Sequence, residues 1–270
     1  MLRRQGRCGG FRRKTTTTNV TRLGLTAWTS TPWMPKLRRL LRRPYSKRCQ
    51  PEVESGRGGG SGGGALWMII GMNGLVYSSW LMAREDKEAL SYMNRHFTLS
   101  AESLLNGRFQ TVITSMFSHA RIDHLMANMV TLIFFGLETI QLKGTAFFSK
   151  LYFTGGMLGG LGFVAWDLNR LFLHYSRTSE LPQNKPQSLM GASAAVYALV
   201  TWKILTSPTH MLYIWMVLPV PAALAGIGFL GYDAYYMYKS DGSSTVAHAA
   251  HIFGAMVGAA FWFNDRRGDV

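Results

Sequence analysis

Six apolar stretches, at 65–83, 122–142, 145–166, 188–205, 208–231 and 245–264, alternate with polar connections along the chain. The first is uncharged and close to the ~20 residues a helix needs to cross a bilayer. A polar segment of mixed charge, 84–118, follows it and reads as partly helical. The second stretch carries Glu138, placed to cap its inner end or to pair with Lys143. The third is rich in glycine, the fourth holds a serine among alanines, and the fifth contains Pro219 and Pro221, which predict a kinked helix. The pattern predicts an all-α membrane protein: a six-helix transmembrane bundle over 65–264, then a short tail at 265–270.

Alternation sends the second, fourth and sixth spans in one direction. Their exits carry Lys143, Lys150, Lys203, Arg266 and Arg267, which the positive-inside rule assigns to the inner side. His124 then lies at the entrance of span two, Ser193 about one turn into span four, and His251 about two turns into span six. At ~1.5 Å of rise per residue all three sit within roughly 10 Å of the opposite surface. Polar groups inside a span are costly and mark function, so three at one level predict a shared site that water can reach.

Charge sharpens this picture by where it falls. The 270 residues carry a formal +15, yet 51–270 hold fifteen basic and fourteen acidic residues. The excess sits in 1–50, with fourteen Lys and Arg and no Asp or Glu. An Arg-rich, acid-free, Thr-containing start has the composition of a mitochondrial transit peptide. It predicts a disordered arm, cut after Tyr45 in Arg43-Pro44-Tyr45-Ser46, then a glycine-rich linker at 51–64. Nucleic acid is not an expected partner, because the basic excess is not spread over a folded surface. Both cysteines, Cys8 and Cys49, lie in the arm, so the bundle has neither a disulfide nor a thiolate metal site.

The candidate chemistry is nucleophilic. Ser193 stands between small residues, Gly191, Ala192, Ala194 and Ala195, which leave its hydroxyl open to a substrate carbonyl. The plainer reading is a membrane-helix serine bonded to its own i−4 carbonyl. A nucleophilic serine needs a base, and His251 is the candidate. Gly254 and Gly258 follow it at the small-x-x-x-small spacing that lets helices approach closely, with Ala192, Ala195 and Ala198 of span four as the expected partner surface. Tyr197, one turn below Ser193, is placed to support the imidazole; the alternative is an ordinary core aromatic. His124 and Asn128, four apart, share a helix face and can donate to a developing oxyanion, or simply staple a loop to the bundle. A metal site built from His119, His124, His248 and His251 is the rival. No His-Glu-x-x-His is present and no acidic residue lies near the two histidines within span six, so no metal and no cofactor are expected.

Three pieces together, in this order, resemble the rhomboid intramembrane serine proteases: His119-x4-His124-Leu-Met-Ala-Asn128, Gly191-Ala-Ser193-Ala-Ala-Val-Tyr197, and Ala250-His251-Ile-Phe-Gly254-x3-Gly258. With the basic arm, the chain looks like the mitochondrial presenilin-associated type. The resemblance implies a six-helix bundle of the inner membrane with its site open to the intermembrane space. It implies Ser193 as nucleophile, His251 as base, Tyr197 stacked on the base, and His124 with Asn128 in the oxyanion hole. It also implies a dyad, consistent with the lack of an Asp partner in the sequence pattern, and single-pass membrane proteins within the lipid bilayer as substrates. The family's Gly-x-Ser-Gly reads Gly191-Ala-Ser193-Ala194 here, so one extra methyl is expected to narrow the site. The extra helix that precedes the six in many mitochondrial members is expected to be missing, since 1–64 holds no uncharged span of that length. A catalytically silent relative that binds or helps import membrane clients is the alternative, favoured by Ala194. A transporter would distribute polar groups through the full depth, which this chain does not.

Overall fold

The computed structural model describes residues 63–180, 187–214, 218–239 and 248–268. The basic arm at 1–50, its cleavage after Tyr45 and the linker up to residue 62 lie outside the described residues. Six long helices form the bundle: α1 (Gly64–Ala83), α5 (Ile122–Lys143), α6 (Thr145–Thr178), α7 (Ser193–Thr206), α8 (Ala222–Lys239) and α9 (His248–Arg267). Between α1 and α5 the polar segment folds into α2 (Lys87–Phe97), α3 (Ala101–Leu105), α4 (Thr111–Thr114) and a 3-10 turn at Ser115–Phe117. Its helix starts are capped from the sequence. Asp86 accepts the N–H groups of Glu88 and Ala89, and Ser100 and Ser103 form a reciprocal box.

α1 and α5 are long and apolar enough to cross a membrane. In lipid, apolar side chains gain little by leaving one another's company, so helices associate through close packing and polar contacts. The centre of the bundle is built that way. A Cβ placed on Gly254 or Gly258 of α9 would come within 2.2 and 2.3 Å of the carbonyl oxygens of Ala194 and Ala198 of α7. A Cβ on Gly159 or Gly155 of α6 would lie 2.7 and 2.4 Å from the methyls of the same two alanines. The register shows direction: positions rise together on α7 and α9, which run parallel, and oppositely on α6. The alanines that meet the α9 glycines are therefore Ala194 and Ala198; of the three expected from the sequence, only Ala198 is one of them.

Several boundaries differ from the sequence reading. α6 does not stop near residue 166 but continues to Thr178, where Ser179 closes it in a left-handed conformation. Its polar extension is held by Asp167, whose carboxylate pairs with Arg170 and accepts the N–H of Gln187 on the returning chain. The fourth stretch does not begin as helix. Leu189 pairs with Leu99 in an isolated antiparallel bridge, and α7 starts only at Ser193. The fifth stretch is no kinked span. Met211–Ile214 and Leu218–Pro221 form a two-stranded antiparallel hairpin, β1 and β2, and α8 begins after it. Pro219 and Pro221 lack the N–H that a helix interior requires, so the helix waits until Ala222. The first donors of α8 are then met by the carbonyls of His210 and Pro208. Glu138 pairs with Lys203 rather than Lys143, which pairs with Asp265; these bonds tie the C-terminal ends of α5, α7 and α9 at the end away from Ser193.

Gly254→Val forces a side chain into the backbone of α7 and is expected to cost about 3 kcal/mol or more. Gly71→Ala and Gly74→Ala on α1, where an added Cβ meets nothing within 4 Å, should change stability by less than ~1 kcal/mol. Thermal unfolding of the detergent-solubilised proteins compares the three.

Candidate active site

The late start of α7 decides the geometry. The chain arrives extended through Leu189, and Gly191 turns it with φ +134 while its N–H bonds to the Ser115 carbonyl. A side chain at this position would be strained and would press on the His124 ring, 3.1 Å from a Cβ placed there. Ser193 is thus the first residue of α7 rather than one turn inside it. Its neighbourhood contains the unpaired N–H groups and positive end of a helix. That is a setting in which an oxyanion is stabilised.

His251 is the fourth described residue of α9, and its Nε2 lies 2.9 Å from the Ser193 Oγ. The two side chains are both buried, at 7% and 9% exposure. Tyr197 stacks on the imidazole, with ring centroids 4.2 Å apart and planes 9° from parallel. Gly254 and Gly258 lie against the backbone of α7, and Gly191 lies against the His124 ring. The Ala194 methyl faces Gly159 on α6 and is buried in packing there, so it does not narrow the opening at Ser193 as the sequence suggested.

His124 and Asn128 stand on the first two turns of α5, beside Gly191. Asn128 is less free than expected. Its amide nitrogen donates to the His124 carbonyl at 2.9 Å and faces His119 Nε2 at 3.3 Å. His119 also receives the Ala192 N–H at 3.5 Å, so this imidazole links Asn128 to the chain entering α7. The sequence reading gives His119 a place in the first family motif and a part in the rival metal site, but no role beside Asn128. Its ring is fully buried and packs edge-on to His124.

One functional candidate was missed altogether. Asp233 of α8, 1% exposed, presents Oδ1 to His248 Nδ1 at 2.6 Å and to His251 Nδ1 at 3.1 Å. Span six by itself offers His251 no acidic partner, and the fifth apolar stretch ends at residue 231, two short of Asp233. An ionisable residue in an apolar helix was the available signal. Asp233, His248 and His251 also form a group whose donor atoms lie within 4.8 Å of one another, a set that a zinc-class ion accepts. The expectation of no metal had leaned on the lack of an acidic neighbour, and Asp233 removes that support. Two imidazole N–H groups sharing one carboxylate oxygen satisfy the same atoms.

Burial, and then the charge of His124, holds the His119 imidazole down at about 4, against a smaller upward pull from the Phe117 backbone. A histidine ordinarily near 6.5 that folds in its neutral form contributes its full stability above pH 6.5. That contribution is lost as pH falls from 6.5 through 4, about 3 kcal/mol in all. Replacing His119 with Gln should flatten the acid side of a stability-against-pH curve in this window.

A family profile for the rhomboid domain matches residues 106–267. The chain is 34% identical over 211 residues to "RHOMBOID-like protein 12, mitochondrial" of Arabidopsis thaliana, covering 75% of this chain and 58% of that protein. It is 30% identical over 207 residues to "Rhomboid-like protein 16, chloroplastic" of the same plant, covering 76% and 63%. Against "Rhomboid protein 1, mitochondrial" of Saccharomyces cerevisiae the identity is 26% over 203 residues, covering 73% and 52%. The chain thus spans about three fifths of the length of the first two relatives. Matched along most of the bundle and carrying all three motifs in the family's order, this chain belongs to the rhomboid family.

Proposed function

We propose that the protein is a serine endopeptidase that cuts single-pass membrane proteins inside the bilayer, with Ser193 as nucleophile and His251 as base. The observation that carries this reading is the 2.9 Å contact between Ser193 Oγ and His251 Nε2 beneath the stacked Tyr197. Proton transfer needs a separation of ~2.6–3.2 Å. The hydroxyl proton passes to Nε2 as Oγ bonds to the scissile carbonyl carbon. Negative charge then collects on the former carbonyl oxygen at the N-terminal end of α7. The N–H of Ser193 is one donor to it; His124 and, on releasing His119 or its own helix carbonyl, Asn128 are the others. Each such donor is worth roughly 3 kcal/mol of barrier. His251 next gives its Nε2 proton to the leaving amine as the C–N bond breaks. Water, activated by the same nitrogen, then hydrolyses the acyl-enzyme. No step calls for a cofactor.

The setting we propose is the mitochondrial inner membrane with the site open to the intermembrane space. Two of the compared relatives carry mitochondrial names. The basic arm has a transit-like composition. Lys143, Lys203, Arg266 and Arg267 gather at the end of the bundle away from Ser193, as the positive-inside rule requires of the matrix side. Ala194 lends little support to a silent, client-binding relative, because its methyl is turned toward Gly159 and not into the cleft.

A fluorophosphonate probe should label the wild-type protein and neither Ser193→Ala nor His251→Ala. Both variants should lose at least ~1,000-fold in cleavage of a co-reconstituted transmembrane reporter. Labelling of Ser193→Ala to the wild-type extent would overturn the proposal.

A further inference from the structure

Asp233 is absent from the dyad, yet it touches the base. Its Oδ1 faces His251 Nδ1, on the side of the ring opposite the nitrogen that meets Ser193. A carboxylate can only accept, so the proton of a neutral His251 is held on Nδ1 and the Nε2 lone pair is left toward the serine hydroxyl. The opposite tautomer would point an N–H at Ser193, where it could take no proton. Asp233 is itself anchored. His248, one turn before His251 on α9, brings its own Nδ1 to the same oxygen at 2.6 Å. The ring of Tyr236 stacks on His248, with centroids 5.4 Å apart and planes 21° from parallel. Two imidazoles of α9 thus converge on a side chain of α8 that is almost wholly out of solvent.

Resting on the protease reading above, we propose that Asp233 is a positioning residue that fixes the tautomer of His251 and stabilises the imidazolium formed when Ser193 gives up its proton, with His248 serving as the clamp that holds Asp233 in place. During acylation the serine proton moves to Nε2. The Nδ1 proton stays where it is and faces a full negative charge. That charge matters most while the imidazolium exists, so its removal should act on the rate of bond making and much less on substrate binding. A mere staple between α8 and α9 would behave differently. A carboxamide of the same shape still offers an oxygen to an imidazole N–H, so a staple would survive its introduction.

The test compares Asp233→Asn and His248→Gln with wild type, reconstituted as full chains. It measures kcat and KM on a transmembrane reporter, the limiting rate of fluorophosphonate acylation, and Tm. In Asp233→Asn, kcat and the acylation rate should each fall about 100-fold or more, with KM within about threefold and Tm nearly unchanged. His248→Gln, which leaves Asp233 facing His251, should keep at least about a tenth of both rates. Asp233→Asn with kcat and acylation within about threefold of wild type overturns the inference and leaves the protease reading standing. So does a rise in KM with a fall in Tm at constant acylation rate, the signature of a staple. Zinc bound to wild type in 1:1 ratio and lost in Asp233→Asn, with chelation raising the wild-type rate, also overturns it, since an ion would then occupy Nδ1. A wild-type protein that neither acylates nor cleaves refutes the protease reading itself.

Discussion

The site depends on three helix backbones being allowed to touch. Ala194 and Ala198 of α7 are met from one side by Gly155 and Gly159 of α6 and from the other by Gly254 and Gly258 of α9. Each pair is four residues apart, one turn of helix, so the contact repeats and sets a register as well as a distance. Lipid offers no force that drives apolar side chains together, so this approach of main chain to main chain has to hold the bundle. Its consequence is local. Ser193 precedes the first of the two alanines, and His251 lies three residues ahead of the first α9 glycine. Fixing the alanine–glycine contact therefore fixes the hydroxyl against the imidazole.

Around that contact the polar groups divide into two layers of purpose. At the deep end of the bundle, Glu138 with Lys203 and Lys143 with Asp265 bind α5, α7 and α9 together. At the other end, polar atoms are collected near the starts of α5 and α7, where unpaired N–H groups and positive dipole ends already favour negative charge, and on the first described turn of α9. His119, neutral because it is buried, accepts hydrogen bonds from Ala192 N–H and the Asn128 amide. A protonated ring there would oppose both. The Asn128 side of the site is thereby built on an imidazole that stays uncharged near neutral pH.

The sequence was most legible where spacing alone carries the signal. The spans of α1 and α5, Gly254 with Gly258, Tyr197 below Ser193, and the pairing of Ser193 with His251 all follow from periods of three to four residues and from depth. It was least legible where the chain departs from helix. Leu189 joins a β-bridge whose partner, Leu99, is distant in sequence. The hairpin before α8 is dictated by proline, which hydropathy does not register. Asp233 was hidden for a related reason: its relation to His251 spans two helices and a connection, so no local pattern encodes it. Ala194 was misjudged because a sequence gives a residue's size and not the direction of its side chain.

α7 has 14 residues, about 21 Å of helix, against a hydrocarbon layer of about 30 Å. The rest of that path is filled by the non-helical chain through Leu189 and Gly191. Bare peptide groups are tolerated at such a level only when protein or trapped solvent surrounds them. The shortfall therefore leaves Ser193 where the helix begins, with that stretch of bare chain sheltered by the protein around it or by trapped solvent. The hydrolysis proposed above would draw its water to that level, the one at which a helix stops short.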